Sequence, residues 1–249
     1  MIAVVTGASS GIGAATAHRL AQLRGTHLIL VARREHRLGA LADALESASI
    51  CAADLTDAAA ATRIAAFVRE RHGRLDLLVN NAGATWPGTF AEGGLGGVER
   101  HMELNFFAAV RLTEALLPML RASAPSAIVN VASVAGWVAR ARSGAYSASK
   151  SAMIGWSEAL RQEEATAGVH VGLVLPGFVA TEGFPQRDLR GRRATRWLVS
   201  TPEKVAEAIA DVWLRRTAER YVPRPYALVP GLRVLAPTLM RRAIGSLGR

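Results

Sequence analysis

The sequence predicts an α/β fold built on a parallel sheet, and three observations carry that reading. Short apolar runs alternate with longer stretches of helical period from Ile2 to about residue 222. The first run passes through a glycine-rich turn straight into a helical stretch. Polar residues suited to chemistry fall just after the apolar runs. In a parallel sheet that is one shared edge, the edge where open α/β sheets bind ligands.

The elements follow in order. Ile2-Ala3-Val4-Val5 is a short buried strand. After it, Thr6-Gly7-Ala8-Ser9-Ser10-Gly11-Ile12-Gly13 opens a helix from about Ala14 to Leu23. Strand, glycine turn and helix are the parts of a phosphate cradle. Glycines let the backbone approach a pyrophosphate, and the helix N-terminus supplies amide donors and a positive dipole end. A second strand over 27–32 ends at Arg33-Arg34. A dinucleotide site for NAD usually carries an acid there, for the ribose 2′-hydroxyl. Two arginines suit a 2′-phosphate instead. A helix over about 37–46 and a strand over 48–53 lead to Asp54, and Thr56 is expected to cap a helix that stops at Gly73. The fourth strand, 75–80, is followed by Asn81-Ala82-Gly83. The five glycines of 84–97 read as a loop, and 98–120 as one long helix that carries Asn105 among apolar neighbours. A strand over 127–132 ends at Ser133, and a helix from Tyr146 runs to about 167. A strand over 169–175 ends at Pro176-Gly177. Thr201-Pro202-Glu203 opens another helix, with a capping Thr and Pro at its first position. A last strand is expected over 219–222.

Composition sets limits. The 249 residues, half of them hydrophobic, suit one domain of the larger α/β kind. A single cysteine, Cys51, excludes an internal disulfide and a cysteine-based metal site, and fits a reducing compartment. No signal peptide is expected before the first strand, and no apolar run approaches the ~20 residues of a membrane span. The net charge is +10, but residues 1–182 are almost neutral. Basicity belongs to 183–200, with five Arg and one Asp, and to 215–249, with eight Arg and one Glu. No nucleic-acid-binding motif accompanies it, so no nucleic-acid partner is expected.

Tyr146-Ser147-Ala148-Ser149-Lys150 is the stretch with the most chemistry. Residues four apart share a helix face. A phenol with an ordinary pKa of about 10 is a poor acid-base group at neutral pH. A nearby ammonium favours the phenolate and lowers that value. Lysine is also rare here: of 30 basic residues only Lys150 and Lys204 are Lys.

Taken together, Thr6-Gly7-x-x-x-Gly11-x-Gly13, Asp54, Asn80-Asn81-Ala82-Gly83, Asn105, Ser133, Tyr146-x-x-x-Lys150 and Pro176-Gly177-x-Val179-x-Thr181 resemble the short-chain dehydrogenase/reductase family. The likeness covers Ile2 to about Thr181; beyond residue 183 it is loose. It implies a Rossmann-like doubly wound sheet, mainly parallel and seven-stranded, with helices on both faces. It implies an oxidoreductase that interconverts a carbonyl and an alcohol by hydride transfer, without a metal. In that likeness Tyr146 is the proton donor or acceptor. Lys150 lowers the Tyr146 pKa and bonds the nicotinamide ribose. Ser133 holds the carbonyl oxygen, and Asn105 positions a water that relays protons. The cofactor would be lined by Gly7, Ser9, Ser10, Gly11, Ile12, Gly13, Arg33, Arg34, Asp54, Leu55, Asn81, Ala82, Gly83, Tyr146, Lys150, Pro176, Gly177, Val179 and Thr181. Arg33 and Arg34 favour NADP(H), with NAD(H) the alternative. Epimerisation or dehydration on the same scaffold, and a non-catalytic NADP-binding regulator, are the competing functions.

The substrate side would be formed by Ser133, Val134, Tyr146, Phe178, Trp86 and Phe184, with Trp137, Val138 and Trp197 nearby. Their apolar and aromatic bias favours a lipophilic or aromatic small molecule. The likeness also implies a homodimer or homotetramer, paired through the helices at 98–120 and 145–167, and the reducing compartment read from Cys51 makes a cytoplasmic location the expectation. Residues 1–222 read as one nucleotide-binding domain, with 183–200 a variable substrate-side loop. Residues 223–249 read as a basic amphipathic extension, with a helix from Pro237 to about Leu247. That tail could pack on its own or a partner subunit, lie on an anionic membrane surface as a peripheral contact, or be disordered.

Overall fold

The structure, a computed structural model, describes residues 1–182 and 198–241. The predicted tail helix beyond Arg241, and Phe184 and Trp197, lie outside these residues. Seven strands form one sheet: β1 (Ile2–Thr6), β2 (His27–Ala32), β3 (Ala48–Ala52), β4 (Leu77–Asn80), β5 (Ser126–Val131), β6 (Val169–Pro176) and β9 (Glu219–Val222). Their order is β3-β2-β1-β4-β5-β6-β9, and every pairing is parallel. Two further short strands, β7 (Phe178–Val179) and β8 (Val199–Ser200), pair beside it.

Alternation along the strands explains the layering. Ala3, Val5, Leu28, Leu30, Leu77, Val79, Ala127 and Val129 face one side. There they meet α1 (Gly11–Ala21), α2 (Glu35–Asp43) and α7 (Pro202–Arg215). Val4, Ile29, Val31, Leu78 and Ile128 face the other side. They pack on α3 (Ala60–His72), α5 (Ala108–Ala122) and α6 (Gly144–Glu164). Successive side chains of a strand point to opposite faces, so a strand covered on both sides must be apolar throughout. The expected Rossmann-like sheet with helices on both faces is therefore present. The strand order reverses between β1 and β4, the point at which open α/β sheets bind ligands.

Three element boundaries differ from the sequence reading, each for a local reason. The helix predicted from 98 begins earlier, as α4 (Phe90–Met102), and is interrupted at Gly94, whose backbone is non-helical (φ 51°, ψ -150°). Thr89 accepts from the Glu92 N–H while Glu92 accepts from the Thr89 N–H, a capping box that starts a helical turn ahead of the glycines. Between α4 and α5 the helix widens into a π turn over Glu103–Phe107. Thr56 does not cap α3. It donates through N–H and hydroxyl to Asp54 at 3.0 and 2.8 Å, which holds 54–57 in a turn and delays the helix to Ala60. The predicted stop at Gly73 stands, in the left-handed conformation that glycine tolerates (φ 65°).

Beyond β9 a 3₁₀ turn (Arg224–Leu228) leads to α8 (Val229–Leu235). The chain breaks at Ala236 and is helical again from Pro237 to Arg241. α8 was not anticipated. No helix among the described residues is long and apolar enough to cross a membrane.

Candidate active site

Thr6, the last residue of β1, fastens two loops together. Its hydroxyl donates to Val79 O at 3.1 Å and accepts from the Asn81 and Ala82 N–H groups at 2.9 and 3.0 Å. The Asn81 amide donates back to Thr6 O at 2.8 Å. This ties Asn81, Ala82 and Gly83 to the glycine turn. Gly7 and Gly13 of the turn have no room for a side chain. A Cβ on Gly13 would lie 2.2 Å from Gly7 O, and Gly7 and Gly11 have φ of +67° and +54°.

α1 begins at Gly11. Ser10 makes no side-chain cap, and the first turn holds no acid, so its amide end stays electropositive. Ser9 and Ser10 accept from the Arg34 guanidinium at 2.9 and 2.7 Å. Arg33 reaches Asp54 at 3.8 Å. The Asp54 carboxyl is held below its ordinary range, first by the Thr56 N–H and then by the Thr56 hydroxyl and Arg33. Thr181 returns to the same turn, close enough that a Cβ on Gly11 would meet its methyl group at 3.3 Å. Glu182, next in the chain, pairs with Arg37 at 2.6 Å. Leu55 is buried, and Ile12 packs on the core beneath the turn. Val179 is buried in the β7–β8 pair.

These features fit a dinucleotide. The close-approach glycines, the uncapped helix end and the exposed arginine fork at the end of β2 together match a pyrophosphate and a phosphorylated ribose.

The polar cluster lies beside this cradle. Asn105, 1% exposed, sits in the π turn. It accepts from the Ala84 N–H at 2.8 Å and donates to Ala84 O at 3.0 Å and to Ser149 Oγ at 3.1 Å. Single π turns of this kind re-aim a side chain at functional positions. Lys150 is 4% exposed and donates to Val131 O at 2.8 Å. Burial brings its pKa down to about 8. Its ammonium is 6.0 Å from the centre of the Tyr146 ring.

Tyr146 was expected to have a lowered pKa. In the protein alone, burial raises it, and the nearby Ser133 hydroxyl opposes that rise. Burial of the phenol thus outweighs the lowering expected from Lys150, whose ammonium donates to Val131 O. Ser133 donates to Pro176 O at 3.2 Å and accepts from the Ala135 N–H at 3.1 Å. Asn105, Ser133, Tyr146 and Lys150 thus come together at the ends of β4, β5 and β6. No group of three His, Cys, Asp or Glu among the described residues could hold a metal ion.

On the substrate side, Val134 is buried, and Trp137 and Val138 pack on the same apolar cluster under α6. Trp86 and Phe178 are partly exposed. Two contributors escaped the sequence reading. His101, 3% exposed, accepts from the Trp86 N–H at 3.1 Å and stands edge-on to Tyr146, ring centres 6.4 Å apart. Its spacing of four from Asn105 on one helix was the available signal. Tyr226, beyond β9, covers Gly177, where a Cβ would lie 2.1 Å from its ring, and donates to Leu198 O at 3.2 Å. No local pattern announces that contact.

A family profile described as "short chain dehydrogenase" matches residues 1–189. The chain belongs to the short-chain dehydrogenase family. It is therefore an oxidoreductase of the kind that acts on a CH–OH group with a nicotinamide cofactor. It is 34% identical over 220 residues to the ketoacyl reductase HetN of a Nostoc species, covering 87% of this chain and 76% of that one. A short-chain dehydrogenase from Streptomyces avermitilis superposes with a TM-score of 0.82 at 32% identity, covering 97% of this chain and 95% of the other. A short-chain dehydrogenase from Burkholderia cenocepacia, solved in complex with NADP, gives 0.77 at 31% identity, covering 85% and 89%.

The cradle makes one prediction. Gly13→Ala forces a methyl group against Gly7 O and should weaken dinucleotide binding at least about tenfold. Fluorescence titration with NADPH checks this, with circular dichroism to confirm that the fold survives.

Proposed function

We propose that this dehydrogenase interconverts a carbonyl and an alcohol with NADP(H), on a lipophilic or aromatic small molecule, with Tyr146 as proton donor or acceptor. The observation that carries the reading is the meeting of a phenol, a buried ammonium and a phosphate-type cradle at one sheet edge. Bound nicotinamide supplies or removes the hydride. In reduction the Tyr146 hydroxyl gives its proton to the carbonyl oxygen, and in oxidation its phenolate accepts the alcohol proton. Ser133 donates to that oxygen and polarises it. Lys150 stabilises the phenolate by charge and bonds the ribose. Asn105, pinned at both its amide atoms, positions the proton path to Lys150. At neutral pH the site is ready for reduction: Tyr146 is protonated, and Lys150, with its pKa of about 8, is mostly charged.

Two tests follow. Tyr146→Phe should lower turnover by about 10²-fold or more while keeping NADPH affinity, because it removes the proton and little volume. For the unaltered protein, kcat/KM of reduction should be level through neutral pH and fall above about 8, as Lys150 loses the charge that makes Tyr146 an adequate acid. A reduction profile level to pH 10 contradicts this role for Lys150.

NADP(H) is the proposed cofactor. Arg34 at the glycine turn and Arg33 beside it can pair with a 2′-phosphate, and a relative 31% identical binds NADP. Arg33→Asp with Arg34→Ala should reverse or abolish a preference for NADPH over NADH, measured as the ratio of kcat/KM. Equal use of both by the unaltered protein contradicts the reading.

We further propose a homo-oligomer paired through α5 and α6. In the π turn that leads into α5, Phe107 is 45% exposed beside Phe106, which meets Trp156 of α6 edge-on. Residues 1–222 would form the nucleotide-binding unit. Residues 223–249 would extend it as a second contact, with a partner subunit or as a peripheral contact with an anionic membrane. Leu228, Leu232, Val234, Leu235 and Leu239 are exposed there beside Arg224, Arg233 and Arg241. Light scattering of the full chain should give a dimer or tetramer at micromolar concentration. Monomer alone contradicts the pairing, and failure to co-sediment with anionic vesicles at low salt removes the membrane contact.

A further inference from the structure

Two arginines are seated on Trp86 and Phe178, the aromatic rings that the sequence assigns to the substrate side. The Arg100 guanidinium lies 3.8 Å from the centre of the Trp86 ring, and that of Arg140 lies 4.8 Å from the centre of the Phe178 ring. Neither has a carboxylate partner among the described residues.

Both rings stand one step from the polar cluster. His101 holds Trp86: Nε2 accepts the Trp86 N–H, Nδ1 donates to Gly97 O at 2.7 Å, and the imidazole packs edge-on between Trp86 and Tyr146. Phe178 follows Gly177, two residues after the carbonyl that accepts the Ser133 hydroxyl. Arg140 is set by a turn in which its N–H donates to Ser143 Oγ at 3.2 Å and that hydroxyl donates back to Arg140 O at 2.9 Å. The two sides of the rim are joined where the Gly88 N–H donates to Arg142 O at 3.0 Å and Arg142 pairs with Glu92 at 3.2 Å. Glu92 is thereby engaged by Arg142 and by the Thr89 N–H at 2.7 Å, and pairs with neither Arg100 nor Arg140.

We infer that this rim is an oxyanion subsite: the substrate carries a carboxylate or a similar oxyanion, set apart from its carbonyl by an apolar body, and Arg100 and Arg140 receive it. The inference rests on the carbonyl–alcohol function proposed above and names its substrate class. A guanidinium laid on an aromatic face loses water from that face but keeps its N–H edge free. That edge donates two parallel hydrogen bonds to a carboxylate, and a shielded face strengthens them. The aromatic walls receive the apolar body, while Tyr146 and Ser133 receive the carbonyl. The class is thus an amphiphile with a distal charge.

Paired compounds test it on the full chain with NADPH: a medium-chain oxo-carboxylate and its methyl ester. The acid should have the higher kcat/KM. The acid-to-ester ratio should fall about tenfold in Arg100→Gln and in Arg140→Gln, chiefly through KM. Arg24→Gln, an exposed arginine at the opposite edge of the sheet, should leave the ratio unchanged. Equal use of acid and ester, or a ratio that neither substitution at the rim moves, overturns the subsite. Tryptophan fluorescence supplies a readout independent of turnover: the acid should quench it more strongly than the ester, and Arg100→Gln should erase the difference. If neither compound is reduced, the proposed function fails, yet acid-selective quenching lost in Arg100→Gln still upholds the subsite. Absence of that selectivity overturns the subsite whether or not reduction occurs. Acetate that quenches as strongly as the oxo-carboxylate overturns the assignment of the anion to the substrate.

Discussion

Burial of the Lys150 ammonium is the constraint on which the rest of the site depends. A charge taken out of water costs several kcal/mol unless it is hydrogen-bonded and paired. Here it has the carbonyl of Val131, at the end of β5, and a pKa brought down to about 8. That is a costly arrangement for a surface helix to keep. It becomes useful only if the charge acts on something beside it, and the neighbours are Tyr146, Asn105 and the backbone of Gly83. A Cβ on Gly83 would lie 3.0 Å from Asn105 Oδ1 and 3.6 Å from Lys150 Nζ. The glycine there is a requirement of space around the charge.

The fold delivers these groups by two devices. Parallel strands end at one edge, so the turns after β1, β4, β5 and β6 necessarily meet. The π turn between α4 and α5 then swings Asn105 inward, where it holds Ala84 by both amide atoms. Thr6 and Asn81 lock the glycine turn to the next loop. The cradle and the polar cluster are thus parts of one hydrogen-bonded frame. His101 extends that frame to Trp86, and Tyr226 closes it behind Gly177.

Much of this was legible in the sequence, for physical reasons. Strands covered on both faces must be apolar throughout, so the alternation of β1 to β6 with helices stands out. Gly73 and the Tyr146–Lys150 spacing are local signals, and local signals survive folding. The misreadings came where two local signals competed. The glycines at 93–97 argued for a loop, and Gly94 does break the helix, but the Thr89–Glu92 box, equally present in the sequence, starts a helical turn ahead of them. At Thr56 the carboxylate of Asp54 captured the hydroxyl that was expected to cap α3. The π turn has no pattern of its own, and Tyr226 meets Gly177 across 49 residues of chain. The raised Tyr146 pKa was misread for a related reason: spacing on a helix gives proximity to a lysine but says nothing about desolvation, which dominates here.

The central claim is that Lys150 makes Tyr146 a usable acid once the dinucleotide is in place. The chain has three tyrosines, and burial is the main cause pushing Tyr221 and Tyr226 up to about 12. Ultraviolet titration of tyrosinate in the NADP-bound protein isolates the third. The account predicts one tyrosinate per chain appearing below about pH 9, well ahead of the other two, and its loss in Lys150→Met. If all three tyrosines of the NADP-bound protein ionise together above pH 10, the account is contradicted.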